Sequence, residues 1–280
     1  MVKPPPIEFI QEWGVRGTEP GQLENPAGPA MDSIGRVYLL DRATRFVQKF
    51  ETTGIPLLSF ETYAAREADS IAVDSGGAIY VANSRAGTIQ VFFPQGDPLR
   101  PMRVAPQRTS EGPFVFSIDA DGRIYVPDAA SARVQVLNSH GQILRIWRIL
   151  PDAGEKVAHP FAAVVDSDAV YVGDAAGGRI LKFARDGAQI AAFKAADSGE
   201  APHFLGLAVA AKHVFALRGF PLQLEVWTED GHRELVDTLG GRLSAIESAA
   251  YLAADAAGDL VVLDPQGRRV LHFRAHLDLP

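Results

Sequence analysis

Cysteine is absent from the 280 residues. Its absence excludes disulfide staples, thiolate-bound zinc, iron–sulfur clusters and thiol nucleophiles. A run of about eighteen uncharged apolar residues, the least a membrane-spanning helix needs, is also missing. The start, Met1-Val2-Lys3-Pro4-Pro5-Pro6, has no apolar stretch that would serve as a secretory signal. No membrane insertion is therefore expected, and a cytoplasmic location is the simplest expectation. A sensor domain cut from a longer exported chain would read the same way. Excess positive charge is lacking as well: 27 Lys+Arg face 34 Asp+Glu, for a net charge of -7. Such a balance gives no overall attraction to a phosphate backbone, so nucleic acid is not the expected partner. There is no Gly-x-Ser-x-Gly elbow, His-Glu-x-x-His pair, P-loop or Gly-x-Gly-x-x-Gly turn. No catalytic residue, metal ligand or cofactor is assigned on this basis.

What is present is a repeat. The phrase Ala30-Met31-Asp32, a Gly turn, then Val37-Tyr38-Leu39-Leu40-Asp41 returns as Ile71-Ala72-Val73-Asp74 with Ile79-Tyr80-Val81-Ala82-Asn83. It returns as Ile118-Asp119 with Ile124-Tyr125-Val126-Pro127-Asp128, and as Val165-Asp166 with Val170-Tyr171-Val172-Gly173-Asp174. Leu252-Ala253-Ala254-Asp255 with Leu260-Val261-Val262-Leu263-Asp264 is the last copy, and Leu207-Ala208-Val209-Ala210 with Val214-Phe215-Ala216-Leu217-Arg218 is a degraded one before it. The six copies are spaced by 42, 45, 47, 44 and 45 residues. A third apolar segment, a turn glycine (Gly54, Gly96, Gly141, Gly187 or Gly231) and a fourth segment follow in five of them.

Four short strands per unit, with no helical period, make a propeller blade. The expected fold is therefore all-β: a six-bladed β-propeller of four-stranded antiparallel blades, with residues 1–280 as one domain. The last copy lacks a fourth segment. The spare strand Ile7-Glu8-Phe9-Ile10-Gln11-Glu12-Trp13, with Trp13 where Trp147 stands in blade 3, is expected to supply it as the outer strand (residues 7–13) and to close the ring. A monomer is expected.

The stretch Trp13-Gly14, Gly17, Pro20-Gly21-Gln22-Leu23, Asn25-Pro26, Gly28, Ala30-Met31-Asp32, Gly35, Val37-Tyr38, Asp41 resembles the NHL-repeat family of six-bladed propellers, and weaker copies carry the resemblance along the chain. The resemblance implies the fold and leaves function open, since such propellers serve as scaffolds, ligand sensors, RNA binders and lyases. The zinc-dependent lyase type of that family would need His residues five positions before the repeat Asp. Here that ring reads Ala27, Asp69, Phe114, Phe161, Leu205 and Ala250.

The repeat aspartates read as turn fixtures that accept backbone N–H groups. Arg133, Arg179 and Arg269, five residues after Asp128, Asp174 and Asp264, read as partners in an Asp–Arg pair inside each blade. Asn83/Thr88 in blade 2 and Arg218/Gln223 in blade 5 break that pattern, which leaves those blades freer to carry something else. The face holding the loops between blades and the second-to-third-strand hairpins is the expected binding face. It receives Asn25, Glu67, Gly112, His159, His203 and Ser248 by alignment. The ligand-binding candidates are Asp69, His159, His203, Arg218 and Phe220.

The expected function is non-enzymatic binding or scaffolding of a protein, peptide or small ligand. One alternative is a metal-dependent hydrolase or lyase at the channel mouth near Asp69, His159 and His203. A second is RNA binding through Arg42, Arg45, Arg85, Arg100, Arg103 and Arg108.

Overall fold

The computed structural model describes residues 6–99, 101–104, 114–151, 157–194, 204–219, 222–246 and 251–276. They form six four-stranded antiparallel sheets arranged as the blades of a propeller. Blade 1 runs Pro26–Met31, Val37–Asp41, Phe46–Phe50 and Pro56–Glu61 from the axis outward. Blade 2 runs Ser70–Val73, Ile79–Asn83, Thr88–Phe92 and Met102–Arg103. Blade 3 is Ser117–Ile118, Ile124–Asp128, Arg133–Leu137 and Ile143–Arg148. Blade 4 is Pro160–Val165, Ala169–Asp174, Arg179–Ala184 and Gln189–Lys194, and blade 5 is Phe204–Ala210, His213–Arg218, Gln223–Thr228 and Arg233–Asp237.

Blade 6 joins both ends of the chain. Tyr251–Ala254, Asp259–Asp264 and Arg269–Ala275 are completed by Ile7–Trp13, in the register Ile7↔Ala275 to Trp13↔Val270. Arg269 Nη1 reaches Glu12 Oε2 at 3.3 Å, and His276 Nε2 lies 2.7 Å from Glu8 Oε2 across the same pairing. The ring therefore closes by strand pairing and leaves no open seam between first and last blades.

Both faces of a blade are covered by its neighbours, so its middle strands are continuous apolar runs. The core is accordingly divided into clusters between blades. Tyr38, Leu40, Ile71, Ile79 and Phe92 fill the space between blades 1 and 2, and Val134, Trp147, Val172, Leu181 and Phe183 that between blades 3 and 4.

One contact recurs around the rim. The ring of Trp13 in blade 6 covers Gly54 in the third-to-fourth-strand hairpin of blade 1, where a Cβ would lie 2.6 Å away. Phe60 covers Gly96 of the next blade at 2.6 Å, and Met102 covers Gly141 at 3.0 Å. Trp147 over Gly187 and Phe193 over Gly231 are closer still. Gly187 has φ +97, so both backbone and space require glycine there.

The repeat aspartates lock the first-to-second-strand turns. Asp32 Oδ1 accepts from Ile34 N (3.1 Å) and Arg36 N (2.9 Å), while Oδ2 accepts from Tyr38 Oη at 3.0 Å. Asp74 repeats the arrangement with Gly76, Ala78 and Tyr80, and Asp119 with Asp121, Arg123 and Tyr125. Blade 5 has Ala210 and Phe215 at these positions, so acceptor and donor are lost together. Blade 6 keeps Asp255 but has Val261 in place of the tyrosine. Burial pushes the Asp255 carboxyl up, and nearby Asp259 adds to the rise.

The axis is partly closed. Val115 N donates to Phe161 O at 2.9 Å and Ala163 N to Val115 O at 2.8 Å, so the blade 3 inner segment pairs in parallel with that of blade 4. A Cβ on Gly28 would stand 3.2 Å from Ser70 Cα, so blades 1 and 2 also meet backbone to backbone near the axis.

The rim contact predicts that Gly187→Ala lowers stability by roughly 2 kcal/mol or more, from the positive φ and the overlap with Trp147. Urea unfolding with an unchanged midpoint would contradict it. The tyrosine locks predict alkaline sensitivity. Burial chiefly, with the charge and hydrogen bond of Asp74, pushes the Tyr80 phenol up to about 12. Tyr38, Tyr125 and Tyr171 move the same way, with burial the leading cause in each. Unfolded phenols ionise near about pH 10, so above that point the native chain holds protons the unfolded chain has released, and stability falls as pH rises. Urea midpoints measured from pH 9 to 11.5 should drop, and Tyr80→Phe should make the drop shallower.

Candidate functional site

The loop-bearing face is built on the aspartates that end the second strands. Asp41 Oδ2 accepts from Glu24 N (2.7 Å) and Asn25 N (3.1 Å), fastening the loop that enters blade 1. Its Oδ1 accepts from Ala43 N and Thr44 N, both at 3.1 Å, fastening the hairpin that leaves it. Asp174 fastens the entering loop of blade 4 likewise, taking His159 N at 2.8 Å, while its other oxygen takes Arg179 Nε at 2.9 Å. The Asp–Arg pairs expected inside the blades are present: Arg133–Asp128 at 2.6 Å, Arg179–Asp174 at 2.9 Å and Arg269–Asp264 at 3.0 Å.

Each described candidate residue is tied within its own blade. Asp69 is half-buried and accepts from Ser84 N at 3.1 Å and from the Ser84 hydroxyl. It therefore does in blade 2 what Asp41 does in blade 1, from the opposite side of the hairpin. His159 has its backbone held on both sides, by Asp174 and by Ala175 N donating to its carbonyl at 2.9 Å, while its imidazole is exposed. Asn25 matches it in blade 1, with Arg42 N donating to its carbonyl at 3.0 Å. The shared repeat position of Asn25 and His159 is thus a backbone requirement, and the side chain there is free to vary. His203 and Phe220 lie outside the described residues.

Arg218 corrects the reading of blade 5 as a blade without a charge pair. Its Nη1 stands 3.0 Å from Oε1 of fully buried Glu225, which Arg233 Nη1 also reaches at 3.3 Å. Trp227 Nε1 donates to Glu225 Oε2 at 3.2 Å. The pair survives with its signs exchanged, the base on the second strand and the acid two residues further along the third. A carboxylate in the otherwise apolar run Leu224-Glu225-Val226-Trp227, opposite a base where other copies have Asp, was the available signal. Burial pushes the Glu225 carboxyl up, and the Arg218 guanidinium pulls it back.

Of the positions five before the repeat Asp, Ala27, Phe114, Phe161 and Leu205 are buried, and only Asp69 carries charge. Phe161 and Phe204 stack with centroids 6.3 Å apart. Among the described residues no three His, Asp or Glu side chains are grouped to hold a metal ion.

Among the described residues, the most exposed aromatic of this face lies between blades 1 and 2. Thr62 caps the short helix Tyr63–Glu67, its hydroxyl accepting from Ala64 N at 3.2 Å. The cap turns Tyr63 outward to 80% exposure, with the Arg45 guanidinium 4.9 Å from its ring centroid and paired with Glu61. Arg66 and Glu67 beside it are exposed. Of the other arginines considered for RNA, Arg42 Nε donates to Ala68 O at 2.7 Å, and Arg100 and Arg108 lie outside the described residues.

No protein-family model matches the chain, and no curated protein matches it. Solved structures do. A streptogramin B lyase aligns with a TM-score of 0.63 at 13% identity, covering 95% of this chain and 98% of that one. Catalytically inactive virginiamycin B lyase from Staphylococcus aureus with quinupristin gives 0.61 at 13% identity, over 97% and 90%. Hydrazine synthase from Kuenenia stuttgartiensis gives 0.63 at 12% identity, over 90% and 77%. At these identities the likeness is one of fold.

The Arg218–Glu225 pair predicts that Arg218→Ala costs roughly 3 kcal/mol at neutral pH, because it strips the buried carboxylate of its nearer guanidinium. Without that base the Glu225 carboxyl rises further, so the cost should shrink as pH falls and Glu225 takes up a proton. Glu225→Gln in the same background should restore most of the loss. Urea unfolding at pH 7 and pH 4.5 checks both, and a loss that does not depend on pH would exclude the pair as its source.

Proposed function

We propose that the chain is a non-enzymatic binding propeller of the NHL-repeat type whose loop-bearing face contacts a protein or peptide. The observation that carries this reading is Tyr63, 80% exposed beneath Arg45 on the short link between blades 1 and 2. An exposed aromatic beside a cation supplies apolar area, a hydroxyl and charge together, the combination that dominates binding hot spots. The ring offers a rigid mount for it, since the neighbouring loops are fastened to Asp41 and Asp69. His159 adds an exposed imidazole on the same face.

Peptides selected from a random display library on the intact chain supply the test. Those that bind the loop-bearing face should weaken at least tenfold against Tyr63→Ala or Arg45→Ala; Tyr63 is exposed and Arg45 half-buried with its charge on an exposed pair, so both substitutions cost little stability. Binders indifferent to both would remove Tyr63 and Arg45 from the site. Turnover of quinupristin by the purified chain supplied with a divalent metal, abolished by chelator, would overturn the non-enzymatic reading.

A further inference from the structure

We propose that the outer edge of blade 3 is a second docking site, which takes an extended, acidic and aliphatic segment of a partner protein as a fifth antiparallel strand. The strand Ile143–Arg148 pairs with Arg133–Leu137 on one side and ends the sheet on the other. An edge strand leaves alternate N–H and C=O groups unpaired, and proteins blunt such edges with proline, acidic or basic charge, or short length. Blade 1 opens its outer strand on Pro56, blade 2 has only Met102–Arg103, and blade 5 carries Glu234 and Asp237. Blade 3 presents six residues with neither proline nor acid, as does blade 4, and of the two it alone sets three large aliphatic side chains, Ile143, Leu144 and Ile146, beside two arginines, Arg145 and Arg148.

Ile143, Leu144 and Ile146 are 55%, 49% and 45% exposed, and Leu150 just beyond is 71% exposed. Blade 2's outer strand is two residues long where the others have five to seven, so the described wall on that side stops short. Beside the strand runs an open groove of about 550 Å³, lined by Arg133, Ile146, Arg148 and Leu150 among others. Main-chain pairing along such an edge gives affinity, and the groove gives side-chain selectivity.

Charge selects the occupant. Residues 129–151 contain Arg133, Arg145 and Arg148 and no acid, in a chain of net charge -7. Arg133 is held by Asp128, whereas Arg148 is exposed and Arg145, also exposed, reaches the Asp186 carbonyl at 3.4 Å. A strand that alternates aliphatic and acidic residues meets both the exposed side chains and the arginines.

The probe is an end-capped eight-residue peptide alternating Val with Asp and Glu, compared with the same peptide carrying Lys at the charged positions. Titration into the intact chain should show the acidic peptide binding at least tenfold tighter, with affinity falling as salt rises. Hydrogen exchange should slow at the amides of 143–150 on binding. Arg145→Glu with Arg148→Glu should keep the melting temperature, lose the acidic peptide and gain the Lys peptide. Absent or equal binding of the two peptides by the unmodified chain, or protection confined to the loop-bearing face, would overturn the proposal. So would a dimer in sedimentation that the double substitution dissociates. Binding that survives Tyr63→Ala separates this edge from the loop-bearing face.

Discussion

A blade whose two faces are both apolar cannot shed water from either by folding alone, so contact between successive blades is the constraint on which the ring depends. Its local form is the outer-strand aromatic of one blade lying over the hairpin glycine of the next: Trp13 on Gly54, Phe60 on Gly96, Trp147 on Gly187 and Phe193 on Gly231. The six interblade clusters lie inward of these contacts. Blade 2 supplies Met102 at that place, and its outer strand is the shortest of the six.

The same constraint explains where charge goes. Aspartates at strand ends cannot be neutralised by water alone within a stacked ring, so they are engaged by turn N–H groups, by tyrosine hydroxyls and by arginines inside the blades. Most of the acids that the repeat places are therefore architectural, and the net charge of -7 says little about a partner. What remains for recognition is what the repeat does not prescribe. Tyr63 sits on the link between blades 1 and 2, the His159 imidazole projects from a position fixed through its backbone, and Ile143, Leu144 and Ile146 sit on the outer edge of blade 3.

Much of this could be read from residues. The spacing of the Asp turns, the turn glycines and the matching places of Trp13 and Trp147 implied six blades and closure by residues 7–13, because turn chemistry and strand period are local properties. The Asp–Arg pairs five residues apart were legible for the same reason. Glu225 was not, because its partner Arg218 departs from the repeat and the acid stands two positions from the expected place. The role of Asp69 was missed as well: its carboxylate is engaged by Ser84, a contact across a hairpin that no spacing rule anticipates.

The sequence alone determined the class of fold and the number and order of blades, since each depends on hydrophobic period and on turn residues within about forty-five positions of one another, and it marked the closing strand as the segment spare at one end and missing at the other. Only the tertiary structure decided which apolar residues stay exposed, which carboxylates are engaged, and how far the axis closes through Val115, Phe161 and Ala163. Exposure and pairing depend on what the adjacent blade brings to the interface. That residue comes from another copy of the repeat, and packing between copies selects it.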